Sequence, residues 1–373
     1  MRVLRIDENS LYRRLVGVGG IGAGIFFELE GEHTLGRNES RPGRLLDVRD
    51  YCKLHIVIHY VAKLLGARDS GKPFHVAPVG RIGDDAPGHQ MVREMAEAGI
   101  DTAHVRATKG RPTLFSVCFQ YPDGAGGNIT TNNSAAAALS ESDIDDVAGM
   151  LNVDGKRTIA LAAPEVPLEA RCHFLRLATN AGAFRAASFV AAEVVPARQA
   201  GMFDMLDLVS LNEEEAAELV GCSYSADEPE ALIESCQEFI RTSCPNLRMV
   251  VSVGKGGAYG LTKEMRNHCP ATEVEVSSTA GAGDSLLGGI IAAIAAGVPF
   301  LSESYDRQTG RVISTGLELG VLLASYKCLS PHTIHPVANM EALSLFGGNL
   351  GYTFSSQITE LLTEAAESQR VSS

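Results

Sequence analysis

The sequence lacks three features that would each indicate a class of protein: a long apolar run, a cluster of basic residues and a closely spaced pair of cysteines. No apolar stretch reaches the roughly 18 residues that a membrane-spanning helix needs. The beginning, MRVLRIDENSLYRR, has no apolar stretch of the kind found in a secretion signal. These absences predict a cytoplasmic protein that does not contact a membrane.

The charge pattern argues against a polyanionic partner. The formal net charge is −13, and the 32 lysines and arginines are scattered along the chain. A nucleic-acid-binding surface normally needs basic residues gathered on one face or in one stretch. We therefore expect no interaction with nucleic acid.

The cysteines and histidines do not form a metal-binding or disulfide pattern. His332 and His335 are spaced as H-x-x-H, but Pro331 and Pro336 flank them, so no useful length of helix can present both to a metal. The cysteines are far apart and contain no C-x-x-C pair, which excludes a disulfide framework and a zinc knuckle. They are Cys52, Cys118, Cys172, Cys222, Cys236, Cys244, Cys269 and Cys328.

What the sequence does contain is an alternation of short apolar runs with helical stretches, beginning near residue 76. Strands separated by helices of about 10 to 15 residues predict a mostly parallel sheet covered on both faces. The chain is thus expected to form a doubly wound α/β sandwich over residues 1–345. Residues 346–373 resemble an amphipathic helix, so a C-terminal helical extension is expected there.

Two segments break this alternation, one within residues 25–50 and one within 110–130. Apolar and polar residues alternate in them, and no helix is attached. Strands without a crossover helix should pair antiparallel and project from the main sheet. They predict a small β lid, whose open strand edges could pair with the lid of a second copy in a homodimer.

Three glycine-rich segments are candidate phosphate-binding loops, and two of them fail. Residues 17–22 match G-x-G-x-x-G, but a strand-like stretch follows where a dinucleotide-binding loop would open a helix. Residues 66–73 approach a P-loop, but Pro73 replaces the hydroxyl residue that would hold Mg²⁺. Both are better explained as structural turns.

The third segment, residues 279–285, opens a strongly apolar helix with a run of small residues. The backbone amides of Gly281, Ala282 and Gly283 would then lie at the positive end of the helix dipole, where anions bind. Asp284, in the first helical turn, could simply interact with the dipole. A carboxylate beside an anion site repels the anion, so its presence there suggests a function. Abstraction of a proton from a hydroxyl is the obvious one.

Residues 278–284, STAGAGD, resemble the D-T-x-G-A-G-D motif of the PfkB, or ribokinase-like, carbohydrate kinases. Only the leading Asp is missing, and Ser278 stands in its place. Further motifs follow in the family's order between about residues 74 and 330: residues 80–88 resemble G-x-x-G-x-D-x-x-G, residues 212–215 the N-x-x-E element, and residues 253–257 a nucleotide-side strand and loop.

This resemblance implies an ATP-dependent and Mg²⁺-dependent transfer of a phosphoryl group to a sugar-like small molecule. Asp284 would be the base, and the amides of Gly281, Ala282 and Gly283 would form the anion hole. Asn212 and Glu215 would hold Mg²⁺ through water, although an N-cap with an acidic first turn is the plainer interpretation of the same residues. The remaining cofactor-binding residues implied are Gly254, Lys255, Gly257 and Thr279, and a monovalent cation could lie near Ser278.

The acceptor side departs from the family. The family's hydroxyl-binding Asp falls on the stretch Gly22–Gly24, and its G-G-x-x-x-N element aligns with residues 52–57, so that Val57 replaces the Asn. An apolar wall is expected here, and simple pentoses and ketohexoses should be poor substrates. A sugar acid, a nucleoside or a catalytically weak ligand-binding relative all remain open. Candidate replacement anchors are Arg81, Asp84, Asp85 and Asn128.

Overall fold

The computed structural model describes residues 2–31, 33–122, 126–225, 229–303 and 311–365. Its strands are β1 (Arg2–Leu4), β2 (Arg14–Val18), β3 (Gly22–Leu29), β4 (Gly43–Tyr51), β5 (His75–Gly83), β6 (Val105–Thr108), β7 (Leu114–Gln120), β8 (Gly126–Thr130), β9 (Thr158–Ala162), β10 (Phe184–Ser188), β11 (Leu208–Asn212), β12 (Arg248–Ser252), β13 (Ala258–Leu261), β14 (Arg266–Cys269), β15 (Val312–Ile313), β16 (Thr353–Phe354) and β17 (Leu362–Glu364).

The α-helices of the same residues are α1 (Lys53–Leu65), α2 (Ala86–Glu97), α3 (Glu141–Asp145), α4 (Ala148–Asp154), α5 (Leu168–Ala181), α6 (Ala191–Gln199), α7 (Glu213–Val220), α8 (Pro229–Thr242), α9 (Ala282–Ala295), α10 (Gly316–Lys327), α11 (Met340–Asn349) and α12 (Ser356–Leu361). None of these helices combines the length and the apolar character that crossing a bilayer requires.

A nine-stranded sheet forms the centre of the molecule, in the order β14-β13-β12-β11-β10-β9-β2-β5-β6. The strands from β12 to β6 run parallel, and β13 and β14 add an antiparallel edge. Successive residues of β2 point to opposite faces: Leu15 joins the core with α1, α9 and α10, whereas Val16 joins the core with α5 to α8. The expected doubly wound α/β sandwich is confirmed.

A second sheet, which we call the lid, has the order β4-β3-β7-β8. The strands β3 and β4 pair antiparallel, as do β7 and β8. The expectation of purely antiparallel pairing is wrong for β3 and β7, which run parallel. The reason is that β5, α2 and β6 lie between β3 and β7 in the sequence. They bring the chain back to the end of the lid at which β3 begins, so that β7 starts from the same end.

The described C-terminal residues do not form the expected helical extension. Helix α11 ends at Asn349, and residues 353–364 form β16, α12 and β17. Strand β17 pairs antiparallel with β1, and β16 pairs with β15. The apolar residues that suggested one amphipathic face instead hold the chain end against its beginning, and residues 366–373 lie outside the described residues.

Helix α9 passes very close to two other helices because glycines face each of them. A Cβ atom on Gly288 would lie 3.0 Å from the Tyr60 Cβ of α1, and one on Gly289 would lie 2.8 Å from the Gly320 Cα of α10. A glycine costs roughly 1 kcal/mol in a helix interior relative to alanine. This cost is offset by backbone packing that fixes the start of α9 relative to α1 and α10.

A buried histidine and a half-buried histidine of α1 should make the fold sensitive to acid. Burial lowers the pKa of His55 to about 3 and lowers the pKa of His59 well below its usual value. Below about pH 6.5 the unfolded chain binds protons that the folded chain rejects, so stability falls as the pH falls. Each histidine should remove up to about 1.4 kcal/mol per pH unit, measured as the unfolding free energy in urea between about pH 7 and pH 5.

The variant His55→Phe should reduce this slope by about half. Replacement of His33, whose side chain is 72% exposed, with Gln serves as the control and should leave the slope unchanged. An unaltered slope in His55→Phe would contradict the assignment of the acid sensitivity to these histidines.

Candidate active site

The start of helix α9 is a tight glycine turn. Gly281, the residue before the helix, has a φ of +79°, and a Cβ atom there would lie 2.5 Å from the carbonyl oxygen of Thr333. Glycine is therefore required at this turn for both conformation and space. The helix behind it is fourteen residues long, so its dipole is directed at whatever lies before residue 281.

The amides at this helix start differ in part from the expectation. The amide of Ala282, expected to face the anion, donates to the carbonyl of Thr279 at 3.0 Å. Within the described residues, the amides of Gly283 and Asp284 have no such partner. Of the three amides expected to face an anion, the tight turn uses only that of Ala282, and the Gly281 amide likewise has no backbone partner among the described residues.

Asp284 is paired with a lysine that the sequence did not suggest as a site residue. Its carboxylate lies 3.8 Å from the Lys53 ammonium group, and its side chain is 10% exposed. Burial raises the pKa of Asp284, and Lys53 counteracts this effect. In return, the charge of Asp284 raises the pKa of Lys53. Lys53 thus favours the ionised carboxylate in a site where burial favours the neutral acid.

Asn212 and Glu215 form the capping box of α7. The Asn212 side chain accepts from the Glu215 amide at 2.8 Å, and the Glu215 carboxylate accepts from the Asn212 amide at 2.9 Å. The plainer interpretation of this motif is therefore present in the structure. Burial raises the pKa of Glu215, while Lys53 lowers it and Asp284 raises it further. The capping box thus lies within electrostatic reach of the pair formed by Asp284 and Lys53.

A glycine turn follows the neighbouring strand. Asn212 is in register with Ser252 of β12, and residues 254–256 form a 3-10 turn directly after that strand. Gly254 and Gly257 have φ values of +54° and +88°, and Lys255 between them is exposed. A side chain at Gly257 would overlap the backbone of Cys269 and Ala271. The carboxyl ends of β11 and β12 therefore present a bare backbone surface, which is where open α/β sheets bind ligands.

Glu165 is a second residue that sequence reasoning did not single out for chemistry. Its φ is +74°, an uncommon value for a residue with a side chain, and its carboxylate accepts from the Lys53 amide at 3.3 Å. Burial raises its pKa to about 7. Such strained residues are frequent at functional sites. The sequence alone does not show this backbone strain.

Lys327 lies directly behind the anion-binding turn. Its ammonium group donates to the carbonyl of Ser278 at 2.8 Å, and the residue is 0% exposed. Burial lowers its pKa to about 8. The amides of Ser277 and Ser278 donate to the carbonyl of Cys328. The chain before the turn is therefore held by the end of α10, with a positive charge where the motif has lost its leading Asp.

The predicted acceptor anchors have other partners. Arg81 donates to both carboxylate oxygens of Asp143, at 2.9 and 2.7 Å, so it is not available for an acidic acceptor. Asp85 caps α2 and accepts from Thr113. Asp84 contacts His89 at 3.3 Å near the surface. These side chains were assigned from their place in a motif, whereas the structure uses them to fix β5, α2 and β7.

The acceptor side is not the apolar wall that was expected. Val57 is 0% exposed and packs against α9 in the core, so it does not line the site. Beside Gly24 lies the carboxylate of Asp50, which accepts from Ser116 at 3.0 Å and from the Cys118 thiol at 3.6 Å. Asn128 lies opposite Cys118 on the exposed strand β8. The carboxylate of Asp50, on β4, thus places a polar group beside Gly24 of β3, where an apolar wall was expected.

Comparison with known proteins agrees with this architecture. A family model described as pfkB family carbohydrate kinase matches residues 57–339. A ribokinase of Staphylococcus aureus (strain COL) is 21% identical over 226 residues, which is 61% of this chain and 71% of that protein.

Solved structures show the same fold. The ribokinase of Giardia lamblia superposes with a TM-score of 0.73 at 15% identity, over 89% of this chain and 98% of that one. The ribokinase of Arabidopsis thaliana complexed with ribose and ATP has a TM-score of 0.65 at 19% identity, over 90% and 99%. Since the family match covers well over half of the sequence, this chain belongs to the pfkB family of carbohydrate kinases, which are phosphotransferases acting on sugar hydroxyls.

Proposed function

We propose that this protein transfers the γ-phosphoryl group of ATP to a hydroxyl of a sugar or sugar-like small molecule, with Asp284 as the base. The observation that carries the proposal is the position of Asp284: a buried carboxylate in the first turn of α9, ion-paired with Lys53 and next to free helix amides. A general base must be ionised and close to the proton that it removes. Lys53 supports the first requirement.

The chain's own groups have distinct tasks in this reaction. Asp284 accepts the proton of the attacking hydroxyl, so that the oxygen gains nucleophilicity as it approaches phosphorus. The amides of Gly283 and Asp284 and the dipole of α9 stabilise negative charge on the transferring group. Because the glycines of α9 fix it to α1 and α10, these donors need little rearrangement during the reaction.

The residues present fit a magnesium-bound nucleotide. Glu215 is a buried carboxylate beside the reaction centre, and Mg²⁺ is commonly held by one or two carboxylates while it keeps most of its water. Asn212 orients Glu215 through the capping box. Gly254, Gly257 and exposed Lys255 would accommodate the nucleotide on the bare backbone surface after β12, and Thr279 would contact its phosphates. When bound, Mg²⁺–ATP supplies the phosphoryl group and neutralises part of its charge.

A coupled assay of ADP release tests the function. The purified protein is incubated with ATP and Mg²⁺, with and without neutral sugars, sugar acids and nucleosides. We expect ADP release that depends on one class of acceptor, together with a phosphorylated product in the mass spectrum. ATP binding without any acceptor-dependent turnover across this panel would contradict the kinase function.

Lys327 should make the enzyme independent of a monovalent cation. Its ammonium group already supplies a positive charge to the Ser278 carbonyl behind the anion site. We expect kcat to change less than about twofold when potassium chloride replaces tetramethylammonium chloride at equal ionic strength. In Lys327→Met we expect kcat to fall at least ~10-fold, because a hydrogen bond from a charged group to the half-buried Ser278 carbonyl is lost, and to recover in part with K⁺.

The pKa of Lys327 near 8 adds a second readout. The unmodified protein should lose activity above about pH 8 as the ammonium group loses its proton. The exposed lysine Lys156, replaced with Met, is the control and should change neither property. A strong K⁺ requirement in the unmodified protein would show that the cation site is built elsewhere.

The homodimer through the lid stays a prediction. Strands β4 and β8 form the two edges of the lid, and Leu45 and Ile129 on them are 59% and 70% exposed. Exposed apolar residues on a strand edge favour pairing with another copy. The molecular mass in solution, measured by light scattering, is the direct test.

A further inference from the structure

The last residues of β4 bring a carboxylate toward the reaction centre. In the pairing of β3 with β4, Gly24 lies opposite Asp50, and the next paired residues are Phe26 and Leu46. One residue of β3 thus faces residues 47–49 of β4, which is a β-bulge. Bulges beside functional sites commonly redirect a side chain.

Gly24 provides the space for this carboxylate. A Cβ atom at residue 24 would overlap the Oδ2 atom of Asp50 and would lie 2.5 Å from the hydroxyl oxygen of Ser116. Even alanine would therefore displace Asp50. The bulge and the glycine act together to hold one acidic side chain at this place.

Asp50 has few hydrogen-bond partners for a half-buried carboxylate. Its Oδ2 atom accepts from the Ser116 hydroxyl and the Cys118 thiol, and no lysine, arginine or histidine of the described residues forms an ion pair with it. A carboxylate can accept about four hydrogen bonds. Burial raises its pKa, and the charge of Asp284 raises it further.

The chain after Asp50 fastens this carboxylate to both sides of the reaction centre. The Tyr51 amide donates to the Thr333 hydroxyl at 3.0 Å, and the Thr333 carbonyl contacts Gly281. Lys53 follows and pairs with Asp284. Asp50 therefore lies on the lid side of the same space into which Asp284 faces from the body.

The charges around this space favour a bound molecule that carries no negative charge. The carboxylates of Asp284, Glu215 and Glu165 act on the ammonium group of Lys53, and the carboxylate of Asp50 acts on the ammonium group of Lys327. These two positive charges do not balance the four carboxylates, so an acidic acceptor would be repelled. Hydroxyl groups would supply the hydrogen-bond donors that the carboxylates lack.

We propose that Asp50 binds hydroxyl groups of the acceptor and that the acceptor is a neutral polyhydroxylated molecule. This inference rests on the kinase function proposed above and names its acceptor class. It assigns a binding role to a lid strand, on the side of the space opposite Asp284.

Two variants test the proposal with glucitol, ribose, fructose and inositol as neutral probes and gluconate as the acidic probe. In Asp50→Asn, kcat/KM for the best neutral probe should fall roughly 10- to 100-fold, mainly through KM, while KM for ATP stays within about twofold. The ratio of kcat/KM for gluconate to that for glucitol should rise. Gly24→Ala should reproduce the loss, because its methyl group displaces Asp50.

Asp47→Asn is the matched control, since Asp47 lies on the same strand and is exposed; it should leave acceptor KM unchanged. Calorimetric binding of the neutral probes is measured in parallel and separates the two proposals. If the protein binds a polyol but transfers no phosphoryl group, the kinase function fails, and loss of that binding in Asp50→Asn still supports Asp50. Unchanged acceptor binding in Asp50→Asn, a preference for gluconate, or no polyol binding by the unmodified protein overturns the inference.

Discussion

Asp284→Asn should lower kcat at least ~100-fold, the scale of a general base, while the affinity for ATP stays within a few-fold. The amide has nearly the shape of the carboxylate but cannot accept the proton of the attacking hydroxyl. The helix amides and the glycine turn after β12 remain in place, so nucleotide binding should survive. Steady-state kinetics together with a direct ATP-binding titration measure the two quantities separately.

The Asp284→Asn experiment has two controls. Asp69→Asn, in an exposed loop, should retain full activity. The unfolding temperature of Asp284→Asn reports whether the unpaired Lys53 destabilises the fold, since removal of one partner of a buried pair is costly. Near-normal turnover in a well-folded Asp284→Asn protein would remove Asp284 from the reaction.

Lys53→Met should move the acid limb of the pH profile of kcat/KM upward by about one to two pH units. Without the ammonium group, burial acts on Asp284 unopposed, so its pKa rises. The proposed base is then protonated at a pH where the unmodified enzyme still works. At about pH 6 the activity should fall ~10-fold or more relative to the unmodified enzyme, and this difference should become smaller as the pH rises toward about 8.

Lys53→Arg keeps a cation and should keep the acid limb near its original position. Lys109→Met, at an exposed lysine, is the matched control for the substitution itself. A uniform loss of activity at every pH in Lys53→Met would instead indicate that Lys53 only supports the local structure.

The part of the site that could be predicted is the part formed by consecutive residues. The small residues before Asp284, the acidic capping box at Asn212 and the glycines after β12 each generate their local geometry from their own sequence. The parallel sheet could also be predicted, because its strands and helices alternate in the sequence. In all of these cases the information lies within one stretch of about ten residues.

The residues that could not be predicted come from contacts between distant segments. Lys53 reaches Asp284 across more than two hundred positions, and Asp50 fills a space left by Gly24 on another strand. The expected anchor Arg81 fails for the same reason, since its partner Asp143 becomes its neighbour only after folding. A motif match fixes where a side chain begins but not which partner it finds.

The contact of Gly289 with Gly320 leaves no free space between α9 and α10. A helix packed backbone to backbone cannot slide by even the width of a methyl group without a clash. Asp284 at its start is therefore held in place relative to α10. If the lid moves relative to the body, the distance between Asp50 and Asp284 changes only through the movement of β4.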